Sequence, residues 1–298
     1  MPPPPPLEEE LSLRDARCAQ RNAHARQEVT PTQSKPEALD LDQLPRVLGM
    51  GNKLAAKNRA AAAAAGSAAA APRRLRVLCL HGWRTSGDIL EFQTGAMQGN
   101  TELDYEFVTA PHAATGPPDD GIATIYAGFP YFEWFLREDV AAGPGVETAA
   151  AEVERAERAK GLAESLELLQ RVLREASPPF DGVLGFSQGA CMAARLAHLA
   201  EQGALQAPSP RFVILIGGVP PKDLAEEEPR VELRTPSLHI HGTSDPLLPY
   251  SQRLLAMFAD SPRRTLLQHT EGHNIPSIRT GLYPKVRLSD CLSAALAR

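Results

Sequence analysis

Gly185-Phe186-Ser187-Gln188-Gly189 fits the pattern Gly-x-Ser-x-Gly. In that pattern a serine sits on a sharp strand-to-helix turn and projects its hydroxyl above a sheet. The pattern is short, so its flanks decide its weight. Phe180-Asp181-Gly182-Val183-Leu184-Gly185-Phe186 leads in as an apolar strand, and the Ala-rich stretch 188–202 leads out with helical character. This context favours a nucleophile elbow over an ordinary surface turn.

A serine hydroxyl is a weak nucleophile at neutral pH and needs an adjacent base, oriented in turn by a third group. On such an elbow the partners follow in the order serine, acid, histidine. Asp245, in Gly242-Thr243-Ser244-Asp245-Pro246, follows the apolar run Leu238–His241, so it falls beyond the carboxyl end of an expected strand. His273, in Glu271-Gly272-His273-Asn274-Ile275-Pro276, lies in the loop after the strand-like run 264–269. Each has rivals. Asp245 could simply open an Asp-Pro turn, and Asp223 and Asp260 also lie between the serine and the histidine. His239 and His241 belong to a strand and read as structural. His269 sits in the preceding strand, from which its ring cannot easily swing to the serine. Asp245 and His273 are preferred.

A tetrahedral oxyanion needs donors. The residue after the nucleophile, Gln188, supplies one backbone N–H, and the loop after the first strand supplies another. That loop is Leu80-His81-Gly82-Trp83-Arg84-Thr85-Ser86-Gly87, which makes the Trp83 N–H the second candidate. A plain tight turn at His81-Gly82 is the bland alternative.

The elements that position these residues are legible as a pattern. Leu75–Leu80, 104–109, 180–186, Phe212–Ile216, Leu238–His241 and 264–269 read as strands. Residues 149–175, 188–202, 250–259 and 285–297 read as helices, the first with apolar positions at 162, 166, 169 and 173. Strands alternating with helices imply an α/β fold, a mostly parallel central sheet covered on both faces. The expected domain is 73–298.

Residues 1–72 read differently. They open with five prolines, a leucine and three glutamates, and end in an Ala-rich low-complexity tract. The segment reads as a disordered or weakly helical extension. Its start lacks a secretory pattern. However, 43–87 holds no Asp or Glu and includes Arg46, Lys53, Lys57, Arg59, Arg73 and Arg74, as an organelle transit segment would. The stretch is poor in serine, so a cytoplasmic protein is the preferred expectation, with organelle import as the alternative.

Composition narrows the classes. The 298 residues are 43% hydrophobic and 22% charged, enough for one sizeable core, and the net charge of -5 gives no footprint for nucleic acid. No apolar stretch is long enough to span a bilayer. Four scattered cysteines (Cys18, Cys79, Cys191, Cys291) show no metal-type spacing and read as reduced thiols. No cofactor and no metal are expected. The sequence carries no signal for oligomeric state.

Ile125–Leu136 concentrates aromatics: Tyr126, Phe129, Tyr131, Phe132, Trp134 and Phe135. It reads equally as a lid or pocket wall for an apolar acyl chain, with Phe132, Trp134 and Phe135 as candidate contacts, or as core anchors of an ordinary helix.

Taken together, Leu-Cys-Leu-His-Gly-Trp (78–83), Phe-Asp-Gly-Val-Leu-Gly-Phe-Ser-Gln-Gly-Ala (180–190), His-Gly-Thr-Ser-Asp-Pro (241–246) and Glu-Gly-His-Asn-Ile-Pro (271–276) resemble the serine hydrolase FSH family. That family comprises esterases like ovarian cancer-associated gene 2 protein, within the α/β-hydrolase superfamily. The resemblance covers 75 to about 297, and Pro130–Phe135 resembles its plant members. It implies the α/β-hydrolase fold and hydrolysis of a small-molecule carboxylic ester, with Ser187, Asp245 and His273 as triad and no cofactor. Acyl-thioester hydrolysis, and a non-catalytic protein using the pocket to bind a ligand, stay open beside it.

Overall fold

In the computed structural model the described residues are 73–98, 103–136, 149–225 and 231–277. In chain order they form β1 (Leu75–Leu80), α1 (Gly87–Gln93), α2 (Gly95–Gln98), β2 (Leu103–Val108), β3 (His112–Ala113), α3 (Asp120–Ile125), β4 (Phe132–Glu133), α4 (Ala149–Glu175), β5 (Gly182–Phe186), α5 (Gln188–Glu201), β6 (Phe212–Ile216), α6 (Lys222–Ala225), β7 (Ser237–Gly242), α7 (Leu248–Ala256) and β8 (Arg264–His269). The expected extension 1–72 and the expected helix 285–297 lie outside the described residues.

The central strands are apolar on both faces because both faces are covered. β5, β6 and β7 are buried along their whole length, as expected of parallel strands between helical layers. Side chains of alternate residues divide between two cores. Leu78, Leu80, Val183, Val213 and Leu215 join one face, with Leu169 and Leu173 of α4 and the small residues of α5. Val77, Cys79, Leu184, Phe186, Ile214, Ile216, Leu238 and Ile240 join the other, with Leu90 of α1 and Met97 of α2. Leu162 and Leu166 of α4 pack against the first core, so all four apolar positions predicted on that helix face inward.

The sheet has six strands in the order β2-β1-β5-β6-β7-β8, and every pair is parallel. β3 and β4 form a separate antiparallel pair. The carboxyl ends of β1, β5, β6, β7 and β8 therefore lie along one edge, and the loops leaving them carry the candidate residues.

The alternation expected over 104–109 is not realised: the four inner residues of β2 are all half-buried. β2 is an edge strand, so its side chains are covered less than those of the inner strands. The aromatic run does not form a helix either. α3 stops at Ile125, a turn follows, and Phe132–Glu133 is a strand.

Candidate active site

Ser187 stands between β5 and α5 with φ 53 and ψ -113, a backbone conformation costly for a residue bearing a Cβ. The surroundings hold it there. Its N–H donates to the Ile216 carbonyl at 2.9 Å, and its carbonyl accepts from the N–H of Ala190 at 3.0 Å. The two glycines of the motif permit close approach of backbones. A Cβ on Gly185 would overlap Gly189 and Ala190 at the start of α5, and one on Gly189 would overlap the Leu80 carbonyl at the end of β1.

His273 brings its ring to this serine. Its Nε2 lies 3.0 Å from Ser187 Oγ, and its Nδ1 lies 2.7 Å from Asp245 Oδ2. The carboxylate can only accept, so Nδ1 carries the proton and Nε2 is free to accept from the serine hydroxyl. Asp245 Oδ1 accepts from the Leu247 N–H at 2.7 Å, which fixes the carboxylate plane. The Asp245 side chain is nearly inaccessible, whereas that of His273 retains 25% exposure. One face of the His273 ring packs on Phe186, with centroids 5.1 Å apart.

The two loops are stitched by hydroxyl residues of the Gly-Thr-Ser-Asp run. Thr243 donates its N–H to the His269 carbonyl at 2.8 Å and its hydroxyl to the same oxygen at 3.1 Å. Ser244 donates its hydroxyl to the Thr270 carbonyl at 3.1 Å. Sequence reasoning did not assign these two residues a role.

The rival acids are paired with arginines, and the rival histidines stay within their strands. Asp223 pairs with Arg195, and Asp260 with Arg264. His239 and His241 lie in β7, and His269 ends β8, buried.

The loop after β1 approaches the serine. A Cβ on Gly82 would lie 3.5 Å from Ser187 Cβ. His81 is fully buried, and its Nε2 accepts from the Ala110 N–H at 3.0 Å, so its proton is on Nδ1. From there it faces the Gly82 carbonyl at 2.8 Å, which also accepts from the Thr85 hydroxyl at 2.9 Å. Burial pushes the imidazole down to about 4, against the opposing pull of the Gly82 carbonyl, which keeps it neutral. Because that carbonyl is turned toward His81 and Thr85, the N–H on the other side of the same trans peptide, that of Trp83, points the opposite way. Gln188 is the first residue of α5, where backbone N–H groups have no intrahelical partner and the helix dipole is positive. The arrangement can deprotonate a hydroxyl and hold negative charge beside it.

The aromatic run is divided. Trp134 is fully buried: its indole N–H donates to the His81 carbonyl at 2.9 Å, and its carbonyl accepts from Ser165. It anchors the core and offers no surface to a ligand, which sets it apart from the other two candidate contacts. Phe132 and Phe135 are half-buried against the same core. The Phe132 N–H donates to the Thr85 carbonyl at 2.8 Å, and the Phe135 carbonyl accepts from the Gln188 side chain at 2.7 Å.

Among the described residues, no group of three or more His, Cys, Asp or Glu side chains could hold a metal ion, and no helix is long and apolar enough to cross a membrane.

Comparison with known proteins gives a consistent family. The model of the Serine hydrolase (FSH1) family matches residues 71–281. Esterase OVCA2 of Homo sapiens is 34% identical over 219 residues, covering 70% of this chain and 92% of the relative. Esterase OVCA2 of Mus musculus is 35% identical over 216 residues, with the same coverages of 70% and 92%. Among solved structures, Zea mays acyl-protein thioesterase 2 is similar at a TM-score of 0.46 and 17% identity, covering 78% of this chain and 97% of that one.

Proposed function

The chain belongs to the serine hydrolase (FSH1) family, and from that premise we propose that it cleaves carboxylic esters through Ser187, with His273 as general base and Asp245 as its orienting acid. The observation that carries this reading is the continuous pair of contacts, 3.0 Å from Ser187 Oγ to His273 Nε2 and 2.7 Å from His273 Nδ1 to Asp245.

Ser187 Oγ attacks the acyl carbonyl while His273 Nε2 takes its proton. Asp245 stabilises the resulting imidazolium. The backbone N–H groups of Trp83 and Gln188 receive the oxyanion. His273 returns the proton to the departing alcohol, leaving an acyl-Ser187. Water, deprotonated by His273, then releases the acid and restores the serine. The orientation of the Gly82–Trp83 peptide and the position of Gln188 at a helix start support the two donors.

The substrate is a small-molecule ester with a medium or long acyl chain. Phe132 and Phe135 support this. Their backbones are held against the loops carrying the two proposed oxyanion donors, at Thr85 and Gln188, and their side chains keep partial exposure. The expected location is the cytoplasm, and a reporter fused to residues 1–75 tests it: organelle accumulation would contradict it.

A panel of p-nitrophenyl esters from C2 to C12, with matched thioesters, tests the substrate class. Turnover rising with acyl length, faster on ester than on thioester, is expected. A flat profile would remove the apolar acyl site, and a thioester preference would reassign the reaction to thioester hydrolysis.

A further inference from the structure

The proposed oxyanion site is made of two loops distant in sequence, and one segment ties both together. Residues 132–135 run between them. At one end, the Gln188 side chain accepts from the Trp134 N–H at 2.9 Å and donates to the Phe135 carbonyl at 2.7 Å, binding the segment to the elbow. At the other end stands Glu133, whose residue surface is only 1% exposed. Its Oε2 accepts from the Trp83 indole N–H at 2.9 Å. Its Oε1 accepts from the Thr115 N–H at 2.6 Å and the Thr115 hydroxyl at 2.8 Å, and lies 3.5 Å from Arg84 Nε.

Arg84 completes the latch. It has φ 50, its guanidinium lies 4.1 Å above the Trp83 ring, and it donates to the Pro117 carbonyl at 2.8 Å. A buried carboxylate thus takes a hydrogen bond from Trp83 and an ion pair from Arg84, the two residues that follow Gly82. A strained backbone of this kind persists only where its surroundings over-determine it.

We infer that Glu133 is a positioning residue for the hydrolysis: it fixes the Trp83–Arg84 backbone so that the Trp83 N–H is aimed at the oxyanion. This rests on the proposed role of Ser187 and its oxyanion donors. It also gives the acid in Tyr131-Phe132-Glu133-Trp134-Phe135 a function apart from substrate contact. Glu133→Gln discriminates, because both carboxylate oxygens face donors. Whichever way the amide is turned, its NH₂ meets an N–H and the latch loses a bond.

The test uses the full chain, comparing wild type with Glu133→Gln, Trp83→Phe and the double variant. The readouts are kcat and KM on p-nitrophenyl butyrate, and inhibition by an alkyl trifluoromethyl ketone, whose adduct with Ser187 carries an oxyanion. Glu133→Gln is expected to lose about 10²-fold in kcat, the cost of misplacing a catalytic group by roughly 1 Å. KM should hold within about twofold, the pattern of an interaction made only in the transition state. The ketone should weaken in parallel with kcat. Trp83→Phe should shift the same two readouts in the same direction, and the double variant should be no worse than Glu133→Gln alone.

An unchanged kcat and unchanged ketone inhibition in folded Glu133→Gln would overturn the inference, as would a loss confined to thermal stability. If Glu133→Gln does not fold, Trp83→Phe decides, and wild-type kcat with wild-type ketone inhibition overturns it. Absence of Ser187-dependent turnover in the wild type would sink the proposed function instead.

Discussion

A Cβ placed on Gly217 would lie 3.2 Å from both Nδ1 and Cε1 of His273, and Gly217 has a φ of +52. The residue after β6 therefore leaves the space that the His273 ring fills beside Asp245. Gly217→Ala combines backbone strain with displacement of the ring. It should destabilise the fold by about 1–2 kcal/mol and lower kcat by about 10²-fold through misplacement of the proposed base. Denaturant melts beside steady-state rates check this; wild-type kcat would show that the ring has room elsewhere.

Asp245→Asn should act through the tautomer. The Leu247 N–H, 2.7 Å from Oδ1, selects the amide oxygen at that position, so the amide NH₂ would face His273 Nδ1. Nδ1 would then have to accept, and the proton would move to Nε2, facing Ser187. A drop in kcat of about 10⁴-fold is expected, with little change in stability. A loss below about tenfold would argue that Asp245 does not orient the base.

Trp134→Phe should change stability and leave acyl-chain preference alone. The substitution strips the donor from the buried His81 carbonyl, at a cost of about 1–3 kcal/mol. A shifted chain-length profile at unchanged stability would return Trp134 to the substrate site.

Acid should weaken the fold before it reaches the carboxylates. Burial pushes His81 down to about 4. Burial, with the nearby His241 and Arg264, pushes His239 down to about 3. Burial lowers His241 and His269 as well. In each case the unfolded chain holds the proton more tightly, so the stability present above about pH 6.5 is lost progressively as pH falls from there to the folded values. For His81 alone the full loss is on the order of 3 kcal/mol. Denaturation midpoints from pH 7.5 to 4 should fall, and His239→Gln should flatten the slope; parallel slopes in the two proteins would contradict the assignment.

Much of this was legible in the sequence because long buried strands and their loop ends announce themselves. β1 and β6 fall where the apolar runs placed them, β8 falls on the strand-like run 264–269, and α4 turns its four predicted apolar positions inward. The structure brings Ser187, His273 and Asp245 into contact from three separate loops. The short elements were hidden. β3 and β4 have two residues each, too few to display a period. α1 begins within the stretch that reads as a loop, with Ser86 accepting from the Ile89 N–H as its cap. Gly217 had a signal in the paired glycines that end an apolar strand, and Glu133 in being a lone acid among aromatics. What the sequence could not express is pairing across distance: nothing near Glu133 indicates that its partners are Trp83, Arg84 and Thr115.

The most direct test is the site of phosphonylation. The full chain treated with a fluorophosphonate should gain one adduct by intact mass, mapping to the peptide that carries Ser187, and ester turnover should fall in step with its formation. Ser187→Ala should neither label nor turn over ester. Undiminished labelling of Ser187→Ala, or an adduct on another residue of the wild type, would contradict the assignment of Ser187 as the nucleophile.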